Sequence, residues 1–187
     1  SMEAAAKDTE GEMLFYQSKV CEGVFHRISS GTTRDGLEVF GKMEKGYLLS
    51  VDSNWDMYGD GYLSGHYFSE GALREQLEKA YPGLVFTEEP VENQINMYKR
   101  DKVGHILFLT VGNKTISGEE FRQLLELPSS NFTMQAADGK IRFLCKGQGH
   151  GLGLSQYGGN VLAKEGKSYK EILRYYFPEC GVQKKDS

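Results

Sequence analysis

Proline is scarce in this 187-residue chain, with four in all, and no stretch is low in complexity. That combination argues against long disordered segments and stiff linkers. Cysteine is scarcer still. Cys21, Cys145 and Cys180 form an odd, widely spaced set without a Cys-x-x-Cys pair. Such spacing gives no disulfide framework and no signature of a zinc knuckle or dithiol centre. Long apolar runs are missing, so no segment reads as a transmembrane helix or a signal peptide. An excess of positive charge is missing too. The 26 acidic and 22 basic side chains leave a net charge of −4, and no nucleic-acid partner is expected.

What the chain has in quantity is aromatic residues and glycine. Eleven tyrosines and ten phenylalanines stand beside a single Trp55, a composition suited to sheets and to surfaces that stack on sugars. The length is enough for one full core, or one core with a subdomain. Residues 3–10 are small and charged, a helix end or a loose lead-in. Met13–Tyr16 and Val20–Ile28 then read as two strands about a turn at Gln17-Ser18-Lys19. The stretch 52–65, rich in Asp, Gly, Asn and Tyr, predicts a long exposed loop.

From Ser69 the period changes. Ala72, Leu73, Gln76, Leu77 and Ala80 fall at helical spacing, with Ser69 as cap and Pro82-Gly83 as the stop. His105–Val111, Gly112-Asn113 and Thr115-Ile116 suggest a hairpin. Ser117-Gly118-Glu119-Glu120 fits a capping box, as does Ser168-Tyr169-Lys170-Glu171. Phe132, Met134, Asp138-Gly139, Ile141 and Phe143 give the clearest hairpin signal. The balance is α+β: a single domain with antiparallel hairpins, a helical insertion and a glycine-rich loop leading into C-terminal helices.

That loop, Gly147 to Gly159 (GQGHGLGLSQYGG), organises the rest, and six of its thirteen residues are glycine. So dense a cluster in an ordered domain points to left-handed backbone, or to a ligand brought close to bare main chain. It lacks the lysine of a phosphate-binding loop and the spacing of the dinucleotide fingerprint. His150 sits inside it, and Ser155 is placed to cap the following helix. Gln156 and Tyr157, an amide and a phenol at a loop–helix junction, suit sugar hydroxyls and N-acetyl groups. His105 reads as a structural hydrogen-bonder. Cys21 and His26 are five apart, on opposite faces of a straight strand, so a zinc site would need a bulge and further ligands such as His150 and Cys145. Glu22, Asp35 and Asp56 are the acids considered for glycoside cleavage, and none has a spacing that singles it out.

The string from Gly147 through GKSYKEILRYYF resembles the C-terminal signature of the stage II sporulation protein D family, which includes amidase-enhancer (LytB-type) proteins. FHRISSGTT at 25–33, YLLSVDSNWD at 47–56 and SSNFTMQAADGKIRF extend the resemblance over nearly the whole chain. The resemblance implies a domain over 3–187, shortened at its N-terminus, with 66–130 as a candidate subdomain. It implies a peptidoglycan lytic transglycosylase, extracytoplasmic and membrane-anchored, whose general-acid glutamate lies on a helix expected upstream of residue 3. Glu3-Ala4-Ala5-Ala6 does not match that helix, so these residues are expected to bind without cleaving. The glycan groove implied consists of His26, Ser29, Ser30, Gly31, Gln148, His150, Ser155, Gln156 and Tyr157. Some members hold zinc near the equivalents of Cys21 and His26; Phe15 and Arg27 stand where the other ligands would fall. The implied partners are peptidoglycan glycan strands, with other cell-wall hydrolases or sporulation proteins. The alternative is a non-catalytic cell-wall-binding or amidase-enhancing module.

Overall fold

The computed structural model describes residues 9–184. The lead-in through residue 8, including Glu3-Ala4-Ala5-Ala6, lies outside the described residues. In chain order come β1 (Glu12–Tyr16), β2 (Lys19–Cys21), β3 (Phe25–His26), α1 (Gly36–Phe40), β4 (Leu63–Ser69), α2 (Glu70–Ala80) and β5 (Ile95–Arg100). They are followed by β6 (Ile106–Val111), β7 (Lys114–Ser117), α3 (Gly118–Leu124), β8 (Phe132–Ala137) and β9 (Lys140–Lys146). The chain ends with β10 (Leu154–Ser155), α4 (Gln156–Lys164), α5 (Tyr169–Tyr176) and β11 (Gly181–Lys184). This is the α+β arrangement expected. No described helix is long and apolar enough to cross a membrane.

Two apolar clusters hold the elements together. The middle of the chain builds two antiparallel sheets, β4-β9-β8 and β5-β6-β7, with α2 and α3 against them. Leu73 and Leu77, four apart on α2, are fully buried in that cluster. Phe121, Phe132 and Phe143 meet there with ring centroids 5.4–5.7 Å apart. The second cluster joins the two ends of the chain: Leu14, Tyr47 and Leu48 pack with Leu152, Leu162, Ile172, Tyr176 and Phe177. Its sheet, β11-β1-β2, pairs the last described strand with the first.

Local chemistry explains the element ends. Ser117 and Ser168 each accept from the backbone N–H three residues on, while Glu120 and Glu171 reach back to the cap, completing both capping boxes. Ser69 caps α2 and Ser155 caps α4 by bonds to Ala72 and Gly158. Asp138 and Gly139 both take positive φ, 53° and 71°, as the mirror-image turn of a two-residue hairpin requires.

Two expectations need correction. Val20–Ile28 is not one strand: β2 stops at Cys21, and β3 pairs in parallel with β10, Phe25 with Leu154 and His26 with Ser155. The chain changes partner at Glu22-Gly23, leaving β1 for the glycine loop. The stretch 52–65 is not an exposed loop throughout. Ser53 and Asp56 are fully buried. The Ser53 hydroxyl meets the Tyr176 hydroxyl at 2.8 Å, and an Asp56 carboxylate oxygen accepts from the Ser29 N–H at 2.7 Å. These bonds hold both residues inside, while the second Asp56 carboxylate oxygen is buried without a partner.

Candidate functional site

The glycine loop crosses the middle of the molecule with left-handed backbone at every second position: φ is 77° at Gly147, 105° at Gly149, 76° at Gly151 and 69° at Gly153. Glycine takes such angles without the steric cost other residues meet. At Gly151 space is also short, since a Cβ would lie 3.0 Å from both His105 Nε2 and Arg34 Cδ. The intervening main chain bonds outward on both sides. The Gln148 carbonyl accepts from Arg27 and Ile28, at 3.2 and 3.1 Å. Arg34 N–H donates to the Gly151 carbonyl at 2.8 Å, and Gly149 N–H to that of Pro128 at 2.7 Å. The alternation is therefore what lets one stretch of chain bond to the 27–34 segment on one side and to Pro128 on the other.

Three of the four histidines gather along it. His26 is buried and its Nδ1 lies 3.0 Å from the Leu152 carbonyl, so that nitrogen carries the proton and Nε2 is left as a buried lone pair without a partner. Burial, only partly offset by this bond, pushes its pKa down to about 4. His150 accepts at Nδ1 from the Leu152 N–H at 3.0 Å, and its ring meets His26 edge-on at 5.8 Å. Its pKa is lowered, by burial first, with Glu119 opposing. His105 bonds the Ser130 hydroxyl at 2.9 Å and is fully buried, the structural role expected; its pKa is lowered well below the ordinary value, by burial and then by Arg34.

Sequence reasoning missed the ion pair that fastens this loop. Arg34 Nε lies 2.6 Å from Asp101 Oδ2, both side chains at most 4% exposed. Arg34 also donates to the His150 carbonyl at 3.1 Å, while Asp101 accepts from the His105 N–H at 2.8 Å. Neither residue sits in a local pattern that would mark it; 67 positions separate them.

Two surface grooves flank the loop. One, about 380 Å³, has apolar walls from Val24, Phe40 and Phe108, with His150, Arg34 and Glu119 among its polar groups. Burial works against the charge on Glu119, but Arg122, 2.6 Å away, outweighs it and holds the carboxyl below its usual range. The other groove, about 370 Å³, is lined by Arg27, Ile28, Asp60, Gln156, Tyr157 and Asn160.

The nine expected groove residues thus divide. His150 opens on the first groove, Gln156 and Tyr157 on the second. His26, Ser29, Gly31 and Ser155 lie in the interior beneath. Ser29 Oγ accepts from the Gly31 N–H at 3.1 Å, and the buried Ser30 hydroxyl has no partner. Gln148 donates its amide to the Gly61 carbonyl at 3.0 Å, which ties the loop to the segment before β4.

The considered acids are scattered. Asp35 caps α1, Asp56 holds Ser29, and Glu22 lies 3.5 Å from Lys45 on the surface. Of the residues considered for zinc, only His26 and His150 meet. Cys21 Sγ faces Cys180 at 3.6 Å, His26 Nδ1 is committed to Leu152, and Cys145 is buried in the other cluster. Among the described residues no three His, Cys, Asp or Glu side chains converge on a metal position.

No family model matches the chain. Stage II sporulation protein D of Bacillus amyloliquefaciens is 31% identical over 183 residues, covering 98% of this chain and 51% of that protein. Its counterpart in Bacillus subtilis is 28% identical over 184 residues, with the same coverage. The amidase enhancer of Bacillus subtilis is 32% identical over 88 residues, 47% of this chain and 12% of that protein. The chain spans about half the length of the two sporulation proteins. Along nearly all of its own length it is related to stage II sporulation protein D, and over about half of it to an amidase enhancer.

Proposed function

We propose that this chain is an extracytoplasmic cell-wall-binding module that seats a peptidoglycan glycan strand in the groove of Gln156 and Tyr157. One observation carries the reading. That groove sets the half-buried Tyr157 ring among an exposed amide, a guanidinium, a carboxylate and Asn160. A sugar needs an aromatic face for its C–H surface, and mixed donors and acceptors for its hydroxyls and N-acetyl groups. The kinship with an amidase enhancer fits binding in the service of another cell-wall enzyme, which makes cell-wall hydrolases or other sporulation proteins the partners of choice.

The test is the affinity of single variants for peptide-stripped peptidoglycan. Gln156→Ala should weaken binding about fivefold, the loss of one hydrogen bond of ~1 kcal/mol, and Tyr157→Ala about tenfold through lost stacking. Gln156 is exposed, so its variant should keep the wild-type melting temperature, whereas removing the half-buried Tyr157 ring should lower it modestly. Unchanged affinity in both variants would remove the groove from the account.

A second reading has the sporulation-protein kinship in its favour, which spans nearly the whole chain. In it the chain is the glycan-holding part of a membrane-anchored lytic transglycosylase whose general acid is carried elsewhere. A general acid must be protonated beside the leaving oxygen. Glu119, which lines the other groove beside His150, is held ionised by Arg122 and does not meet that requirement. Both readings give these residues a binding role.

A further inference from the structure

We infer that Cys21 and Cys180 are the site of an intramolecular disulfide, formed when the folded protein meets a low-molecular-weight disulfide oxidant. Their Sγ atoms lie 3.6 Å apart although 159 positions separate them in sequence. A disulfide bond is about 2.05 Å long, so the sulfurs need approach by only about 1.5 Å, the scale of a side-chain rotation. The sheet register keeps them together. Cys21 pairs with Leu14 from one side of β1, and Val182, two residues beyond Cys180, pairs with the same Leu14 from the other. The site is reachable: Cys21 lines a surface groove of about 290 Å³ with Tyr16, Lys19 and Glu44. Cys145, by contrast, is fully buried in the other cluster, its thiol pushed up to about 11 by burial. One pair and one inert thiol account for the odd count.

The reaction with oxidised glutathione balances in two exchanges. Burial raises the pKa of both thiols, Cys180 up to about 12, so Cys21 loses its proton to solvent first. Its thiolate attacks one glutathione sulfur, breaking that S–S bond and releasing one glutathione, which takes up a proton. Cys180 then loses its proton and attacks Cys21 Sγ in the mixed disulfide, expelling the second glutathione. Two protein thiols are oxidised to one disulfide, and one glutathione disulfide is reduced to two thiols.

The experiment treats the folded chain with oxidised glutathione at about pH 8.5, then unfolds it, alkylates it and weighs it. A single alkylated cysteine, Cys145, is expected, with no bound glutathione and a melting temperature raised by about 10 °C because so long a loop is closed. Dithiothreitol should reverse the shift. Under the same treatment Cys180→Ser should keep glutathione on Cys21 and show no rise. Wild-type protein that retains glutathione at Cys21, or that alkylates at all three cysteines, would overturn the inference.

Discussion

Replacing Arg34 with alanine is expected to lower stability by about 3–5 kcal/mol, the usual cost of leaving one member of a buried ion pair alone. Asp101 would then be left with 1% of its side chain exposed and no other cation at contact distance among the described residues. The same change removes the guanidinium donor to the His150 carbonyl. The loop would lose its tie to the β5–β6 segment as well as its charge balance. Asp101→Asn should cost a comparable amount, since the guanidinium is then the stranded partner. Replacing both, as Arg34→Met with Asp101→Leu, should cost much less than the sum of the single variants, because no uncompensated charge remains. Urea unfolding of the four proteins measures this directly. An Arg34→Ala loss below about 1 kcal/mol would mean that the pair does not fasten the loop.

Acid should unfold the protein early. His26 has a folded pKa of about 4 against an ordinary 6.5, so the unfolded chain binds more protons at every pH between the two. Stability therefore falls as the pH drops through that window. His26 alone should contribute a loss of about 2 kcal/mol between pH 7 and 5, and about 3 kcal/mol by pH 4. His105 and His150, also depressed by burial, act in the same direction. Carboxylates held below their usual range, such as Glu119, Glu120 and Glu171, add to the loss only further down. The window above pH 5 thus isolates the histidines. Denaturant midpoints from pH 7 to 5 should fall steadily in the wild type and more shallowly in His26→Asn, which cannot take up a proton. Equal slopes in the two proteins would show that His26 is not held neutral by the fold.

Much of the local architecture was legible because its causes are local. Ser117 with Glu120 and Ser168 with Glu171 announce helix starts three residues apart, and Asp138-Gly139 announces a hairpin. The alternating glycines announced positive φ, which Gly147, Gly149, Gly151 and Gly153 adopt. What stayed hidden was long-range. The parallel pairing of Phe25 with Leu154 spans most of the chain. Cys21 and Cys180 looked unrelated on spacing alone and meet only because β11 closes on β1. Asp56 looked like loop polarity, yet it is buried because the Ser29 N–H needs an acceptor. The expected groove was read as continuous because its residues share two sequence segments. Three-dimensional placement puts His150 on one side and Gln156 with Tyr157 on the other.

The central claim, a module that holds glycan without cutting it, is tested most directly by incubating the chain with purified peptidoglycan stripped of its stem peptides. The pellet is assayed for bound protein and the supernatant, by mass spectrometry, for sugar fragments. The chain should sediment with the glycan, Tyr157→Ala should do so far less, and the supernatant should contain no 1,6-anhydromuramyl ends. Anhydromuramyl products released by this chain alone, or retention no greater than that of Tyr157→Ala, would contradict the claim.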